Sequence, residues 1–163
     1  MENAYLLLGS NMGDRKAYLQ QSIAMLSRVG RVMRLSSLYE SEPWGFDHST
    51  GWFLNQAVEL ATGTDAPELL HALHEIEQTL GRLRTNGTYR ARTIDIDIIL
   101  LGNRIIRTPE LTIPHSLMEQ RMFVLQPLSE LIPDAVHPIL RLTIAQLAAQ
   151  CTDTALVQRY ANE

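Results

Sequence analysis

Residues 93–101 read TIDIDIILL, and their alternation decides what kind of element this part of the chain forms. Ile94, Ile96, Ile98 and Leu100 alternate with Asp95, Asp97, Ile99 and Leu101. A period of two predicts a strand whose first set turns wholly to a core. The second set opens with two acids, so Asp95 and Asp97 project side by side, each within reach of a common ion. Carboxylates that close raise each other's pKa unless positive charge stands beside them. Residues 81–92, just upstream, read GRLRTNGTYRAR and carry Arg82, Arg84, Arg90 and Arg92 with no acid among them. Paired hard oxygen donors suit Mg²⁺, whose shell substrate phosphates complete, and a guanidinium fork matches phosphate geometry. Acid pair plus arginine loop therefore predicts a Mg²⁺–nucleotide site. The plain alternative is a half-exposed edge strand whose acids are solvated and pair with the arginine loop. Lys16 is the only lysine among 14 basic residues, so arginine is partly a habit of this composition.

The chain of 163 residues is expected to form one domain, 1–163, large enough to bury a core without staples. Hydrophobic residues make up 45% and charged residues 20%, as in ordinary globular proteins. A net charge of −4 leaves no general basic surface for nucleic acid, so any bound anion must meet a local cluster. Residues 82–92 are the only stretch of that density. One cysteine, Cys151, excludes an internal disulfide and a cysteine-based zinc site. The first residues carry no basic segment, and their apolar run is too short for a signal or membrane span. A cytoplasmic monomer acting on small molecules is expected, without nucleic-acid or membrane partner.

Outward from the acid-bearing strand, the chain punctuates itself. Residues 4–9 predict a buried strand, and Asp14 caps a helix running to about Val29. The intervening turn lacks the Gly-Lys-Ser/Thr ending of a phosphate loop and is read as a connection. Residues 31–39 predict a second strand and 52–61 a third. Between them, 40–51 form a loop whose Trp44 and Phe46 either meet a ligand or fold onto the core. Asp65, Pro67 and Glu68 start a helix with Leu69, Leu73, Ile76 and Leu80 on one face and Gly81 as its stop. His71, His74, Glu75 and Glu77 decorate its flanks, mostly as a solvated face. After Leu101, Gly102-Asn103 predicts a tight hairpin, with 104–108 returning antiparallel to the acid strand. A loop spans 109–114, and His115 stands at the junction with a helix boxed by Ser116 and Glu119. Pro127 is expected to kink or split that helix, and Thr143 with Gln146 caps a last one. The order β-α-β-β-α-β-β followed by helices predicts an α+β, ferredoxin-like α/β sandwich, a mostly antiparallel sheet with helices packed on it.

Taken together, several motifs resemble one family. They are Gly-Arg-x-Arg at 81–84, an aromatic at Tyr89, Arg-x-Ile-Asp-Ile-Asp-Ile-Ile-Leu at 92–100, and Ile-Pro-His-(x)5-Arg-x-Phe at 113–123. The chain is similar over nearly its full length to 6-hydroxymethyl-7,8-dihydropterin pyrophosphokinases of folate synthesis. The likeness includes Leu-Gly-Ser-Asn-x-Gly-Asp at 8–14, Tyr-Glu-Ser-Glu-Pro at 39–43 and Phe-Leu-Asn at 53–55. The resemblance implies transfer of pyrophosphate from ATP to the hydroxymethyl oxygen of the pterin, releasing AMP. It implies that Asp95 and Asp97 hold two Mg²⁺ ions, with Asp95 also at the pterin. By the same resemblance, Arg82, Arg92, His115 and Arg121 contact the triphosphate, and Arg84 lies on a loop closing over it. Glu77 and Tyr89 join the nucleotide contacts, while Ile98 and Thr112 lie by the adenosine. Phe53 and Phe123 sandwich the pterin, Asn55 bonds its polar edge, and backbone near Glu42, Pro43 and Gly45 completes the pocket. Catalytic roles fall to Arg82, Arg84, Arg92, Asp95 and Asp97. The rivals are another Mg²⁺-dependent phosphoryl or nucleotidyl transferase, and a ferredoxin-like nucleotide sensor without catalysis.

Overall fold

The apolar run near the start forms the long strand β1 (Glu2–Ser10), with Ala4, Leu6 and Leu8 wholly buried. The structure, a computed structural model, describes residues 1–43, 51–81 and 93–160. Helix α1 (Arg15–Leu26) starts as expected, the Asp14 carboxylate accepting from Ala17 N at 3.1 Å. It ends three residues short of Val29, and the following turn brings Gly30 against the backbone of Ala61. A Cβ at Gly30 would lie 2.4 Å from Ala61 O, so only glycine fits this approach.

The single strand expected over 31–39 is two pieces, β2 (Arg31–Leu35) and β3 (Tyr39–Ser41). Ser36 makes the break: its backbone N–H donates to Ala57 O, and its hydroxyl accepts from Ala57 N, both at 2.9 Å. A side chain thus takes over a ladder bond and redirects the chain. β4 (Phe53–Thr62) follows, then α2 (Ala66–Thr79), capped by Asp65 and closed at Gly81, whose φ of +93° suits glycine. β5 (Asp95–Leu101) carries the acids.

The sheet runs β5-β1-β4-β3-β8, with β2 also beside β4 and β8 (Val157–Arg159) at the far edge; every pair is antiparallel. The expected ferredoxin-like α+β arrangement is what forms, and it puts the acid strand at an edge next to β1. Helices cover both faces. Leu19 and Leu26 of α1 with Leu69, Leu73 and Ile76 of α2 cluster with Leu6, Leu8, Ile96 and Ile98. On the other face, α3 (Met122–Leu131) and α4 (Ile144–Gln150) pack Val124, Leu125, Leu128, Ile144 and Leu147 with Leu7, Ile99 and Leu100.

Four local expectations change. The alternation in β5 holds only through Ile98: the register steps from Leu6↔Ile98 to Tyr5↔Leu100, leaving Ile99 as a bulge. Ile99 and Leu100 therefore both join the α3–α4 core, and Leu101 returns to the α1–α2 core. Residues 104–108 do not pair with β5. β6 (Ile106–Arg107) instead pairs with β7 (Thr112–Ile113), inside what read as a loop. The outer edge of β5 is already engaged, Ile96 N donating to the Glu77 carboxylate at 2.8 Å and Ile99 O accepting from His115 N at 3.0 Å. The Ser116–Glu119 box does not form either. A 3-10 turn (Met118–Gln120) without a side-chain cap precedes Arg121, whose extended backbone (φ −128°, ψ 106°) separates it from α3. Asp153, far along the chain, caps α3 by accepting from Met122 N at 3.0 Å. The split thus falls at Arg121, and α3 continues through the buried Pro127.

Candidate active site

Strand register assembles the first half of the site. Tyr39 stands opposite Asn55, Asn55 opposite Gly9, and Gly9 opposite Asp95. Side chains directly opposite share a face, and Tyr39 reaches Glu130 of α3, so this rung lies on the α3–α4 face. Strands about 4.8 Å apart put the backbones at Asn55 and Asp95 roughly 10 Å from each other, across the bare backbone of Gly9. A Cβ at Gly9 would lie 3.0 Å from Asn55 Oδ1 and 3.4 Å from Phe53 Cδ1. Glycine thus lets the Asn55 carboxamide and the Phe53 ring lie close against this strand beside the Asp95 carboxylate. Asp97 lies one level further along the same face, opposite Leu7. Asn55 is buried and donates from Nδ2 to Ser41 Oγ at 2.7 Å. Phe53 and Phe123 are half-buried, and the Arg121 guanidinium sits 5.8 Å from the Phe123 ring centre at the start of α3.

The second half is a cavity of about 460 Å³ along the outer edge of β5. Glu77, Asp95, Asp97, Ile98, Thr112, His115 and Arg121 all line it, so the described residues expected around the nucleotide and metal converge on one space. Glu77 is buried and uses one carboxylate oxygen on Ile96 N, which fixes the strand between the two acids. Since alternate residues of a strand turn their amides to one edge, Ile98 presents its N–H and C=O to the cavity side, as Ile96 does. Burial pushes the His115 imidazole below its ordinary range, and Arg121's positive charge pushes the same way, while Asp95 and Glu119 oppose. Its Nδ1 is buried without a hydrogen-bond partner among the described residues.

Asp95 and Asp97 are a pair of hard oxygen donors open to the cavity. Among the described residues no three His, Cys, Asp or Glu side chains converge to hold a metal by themselves. Such a pair fits Mg²⁺, which takes one or two carboxylates and completes its shell with phosphate and water.

Leu70, Glu110 and Leu111 also line the cavity and were not singled out from sequence; His74 lines it too, so the solvated face read for His74 and Glu77 is corrected, since both turn to the cavity and Glu77 is buried there. The signal for two of them was present: Leu70, His74 and Glu77 follow i, i+4, i+7 spacing on one face of α2. Glu42 spends one carboxylate oxygen on Leu156 N at 2.7 Å, and Pro43 is buried beside it. Trp44, Gly45, Phe46, Arg82, Arg84, Tyr89, Arg90 and Arg92 lie outside the described residues. The flanks of the arginine segment, Gly81 and Thr93, stand at the end of α2 and just ahead of Asp95.

Residues 5–133 match the model of the 7,8-dihydro-6-hydroxymethylpterin-pyrophosphokinase family. A 2-amino-4-hydroxy-6-hydroxymethyldihydropteridine pyrophosphokinase of Porphyromonas gingivalis is 45% identical over 142 residues, covering 85% of this chain and 95% of that protein. The protein of the same name from Aquifex aeolicus is 37% identical over 152 residues, covering 93% and 94%. Among solved structures, the wild-type HPPK-DHPS of Plasmodium falciparum with pteroate shares the fold at a TM-score of 0.74 and 18% identity. This chain's match covers 91% of its own length and 42% of that longer chain. With the family match spanning most of the chain and relatives matching over 85% and 93% of it, this protein belongs to the 7,8-dihydro-6-hydroxymethylpterin-pyrophosphokinase family.

Proposed function

We propose that this protein transfers the pyrophosphoryl group of ATP to the hydroxymethyl oxygen of 6-hydroxymethyl-7,8-dihydropterin. The hydroxymethyl oxygen attacks the β-phosphorus, the bond from that phosphorus to the α,β-bridging oxygen breaks, and AMP departs. The observation that carries this reading is Asp95, which stands on one rung with Gly9 and Asn55 and lines the cavity beside β5 together with Asp97. A carboxamide offers a donor beside an acceptor, which matches the N–H and C=O of a pterin lactam. With that edge on Asn55, the flat bicycle lies over Gly9 between Phe53 and Phe123, and its hydroxymethyl arm extends toward Asp95.

The nucleotide takes the cavity. The amide and carbonyl of Ile98 suit the donor–acceptor edge of adenine, with Thr112 alongside and His115 and Arg121 toward the phosphates. Four acids line the described cavity (Glu77, Asp95, Asp97 and Glu110), so a triphosphate there demands added positive charge. Arg82, Arg84 and Arg92, from the segment joining α2 to β5, are assigned to supply it, with Tyr89 on the same segment. Asp95 and Asp97 are assigned to hold two Mg²⁺ ions. When bound, Mg²⁺ supplies charge neutralisation and orientation of the phosphates, the dominant needs of phosphoryl transfer. Small soluble substrates require no partner chain, and a cytoplasmic monomer suffices.

Incubation with ATP, Mg²⁺ and the hydroxymethyl dihydropterin is expected to give AMP and the pterin diphosphate in equal amounts. Release of ADP in place of AMP, or no turnover, would overturn this assignment.

A further inference from the structure

We infer that Ser41 is a positioning residue for the pterin: its hydroxyl pins the Asn55 carboxamide so that Oδ1 is held on the Gly9 side, toward the assigned pterin position. This rests on the assignment of Asn55 to the pterin pocket. Asn55 and Ser41 are both 2% exposed, so neither can satisfy its polar atoms with bulk water. Asn55 Nδ2 lies 2.7 Å from Ser41 Oγ, while Oδ1 lies on the Gly9 side, 3.0 Å from where a Cβ of residue 9 would be. A carboxamide has two N–H groups. Giving one to Ser41 leaves the other, beside Oδ1, for a ligand. Without the hydroxyl, a buried amide turns about its terminal torsion, which is broad, until another partner satisfies it. The donor–acceptor edge is then no longer held on the Gly9 side.

Ser41 is itself firmly placed. It pairs with Phe53 on β4 and with Val157 on β8, at the end of the three-residue β3. The next residue locks the same corner twice, Glu42 N donating to Leu156 O at 3.2 Å and Leu156 N donating to Glu42 Oε1 at 2.7 Å. The short strand near the C-terminus therefore serves the pocket by holding the hydroxyl that holds the carboxamide. Ser41 touches Asn55 and is given no contact with substrate.

The test measures pterin and ATP affinity separately, by titration and by steady-state KM, in Ser41→Ala, Ser41→Cys and Ser41→Thr. Loss of one hydrogen bond predicts that Ala and Cys weaken pterin binding about tenfold, leave ATP affinity unchanged and keep a cooperative thermal melt. Thr keeps the hydroxyl and is expected to restore pterin affinity. In an Asn55→Ala background, Ser41→Ala is expected to add no further loss, because its only route to the pterin is gone. Unchanged pterin affinity in Ser41→Ala and Ser41→Cys, an equal fall in ATP affinity, or full additivity with Asn55→Ala would each overturn the inference. Asn55→Ala leaving pterin affinity intact would instead overturn the pocket assignment beneath it.

Discussion

At Asp97 and Phe123 the proposed chemistry separates into parts that single substitutions can test. Asp97 shares a face with Asp95 on the edge strand β5, and neither has an acid replacement nearby on β1, whose facing residues are Gly9 and Leu7. Removing one member of a two-carboxylate Mg²⁺ site takes away more than an orienting partner, whose loss alone lowers activity about 10–100-fold. Asp97→Ala is therefore expected to reduce kcat by more than about 100-fold while the thermal melt stays cooperative. A nucleotide sensor without chemistry would keep ligand binding nearly intact in that variant, which titration with ATP and Mg²⁺ decides. Phe123 makes a different contribution, apolar area against a flat ring. Phe123→Ala is expected to weaken pterin affinity by roughly 1–3 kcal/mol, read from titration of the pterin alone. Pterin affinity equal to the parent protein would remove Phe123 from the pocket.

Helix α3 is the element that closes the rung from above, and it is tied down by its polar end rather than by propensity. Glu130 accepts from Ser37 N at 3.0 and 3.1 Å, from Ser37 Oγ at 3.2 Å and from Tyr39 OH at 2.7 Å. Burial raises the Tyr39 phenol to about 12, and the Glu130 hydrogen bond and charge push the same way. Ser37 also meets Arg159 of β8, so helix, strand and C-terminal strand share one polar knot. Truncating Glu130 leaves the buried Tyr39 hydroxyl and the Ser37 amide to find water. Glu130→Ala is expected to lower stability by about 1–2 kcal/mol in urea unfolding, discounted because Glu130 is itself exposed. Because Tyr39 stands opposite Asn55, the same substitution should also raise the pterin KM slightly. The element shows where the sequence is silent: the Ser37–Tyr39 pair, Glu130 and Arg159 come from three segments far apart in the chain and share no periodicity.

For the whole molecule, acid sensitivity follows from two histidines whose pKa burial lowers, His115 in the cavity and His137. His137 is 4% exposed, and its Nδ1 accepts from Ile139 N at 3.2 Å and from Leu140 N at 3.1 Å. Burial lowers its pKa from the ordinary 6.5, with the charge of Glu119 opposing. Below about 6.5 the unfolded chain therefore binds a proton that the folded chain resists, so stability falls as pH falls. Glu59 adds loss of the same sign only lower, since its pKa is depressed below 4.5, first by the hydrogen bond from Arg34. Between pH 7.5 and 5, unfolding free energy in urea is expected to decline, and His137→Asn to flatten that decline. An equal slope in the variant would place the proton on His115 instead.

Much of this protein is legible in its chain because local physics suffices there. Asp65 and Thr143 cap their helices, Gly81 ends one, and the alternation at 94–98 sets two acids on one face; each depends on residues within a few positions. The motifs at 92–100 and 113–123 carry the family in the same local way. Tertiary structure decided what local pattern cannot carry. It set the bulge at Ile99 that folds the end of β5 into a second core, and the Glu77 and His115 bonds that occupy its outer edge. It supplied the Asp153 cap on α3 from beyond the helix's own segment. Above all, it chose the register that lines up Tyr39, Asn55, Gly9 and Asp95. Register is fixed only when strands distant in sequence bury their faces together, because a slip of one residue turns every side chain to the opposite side.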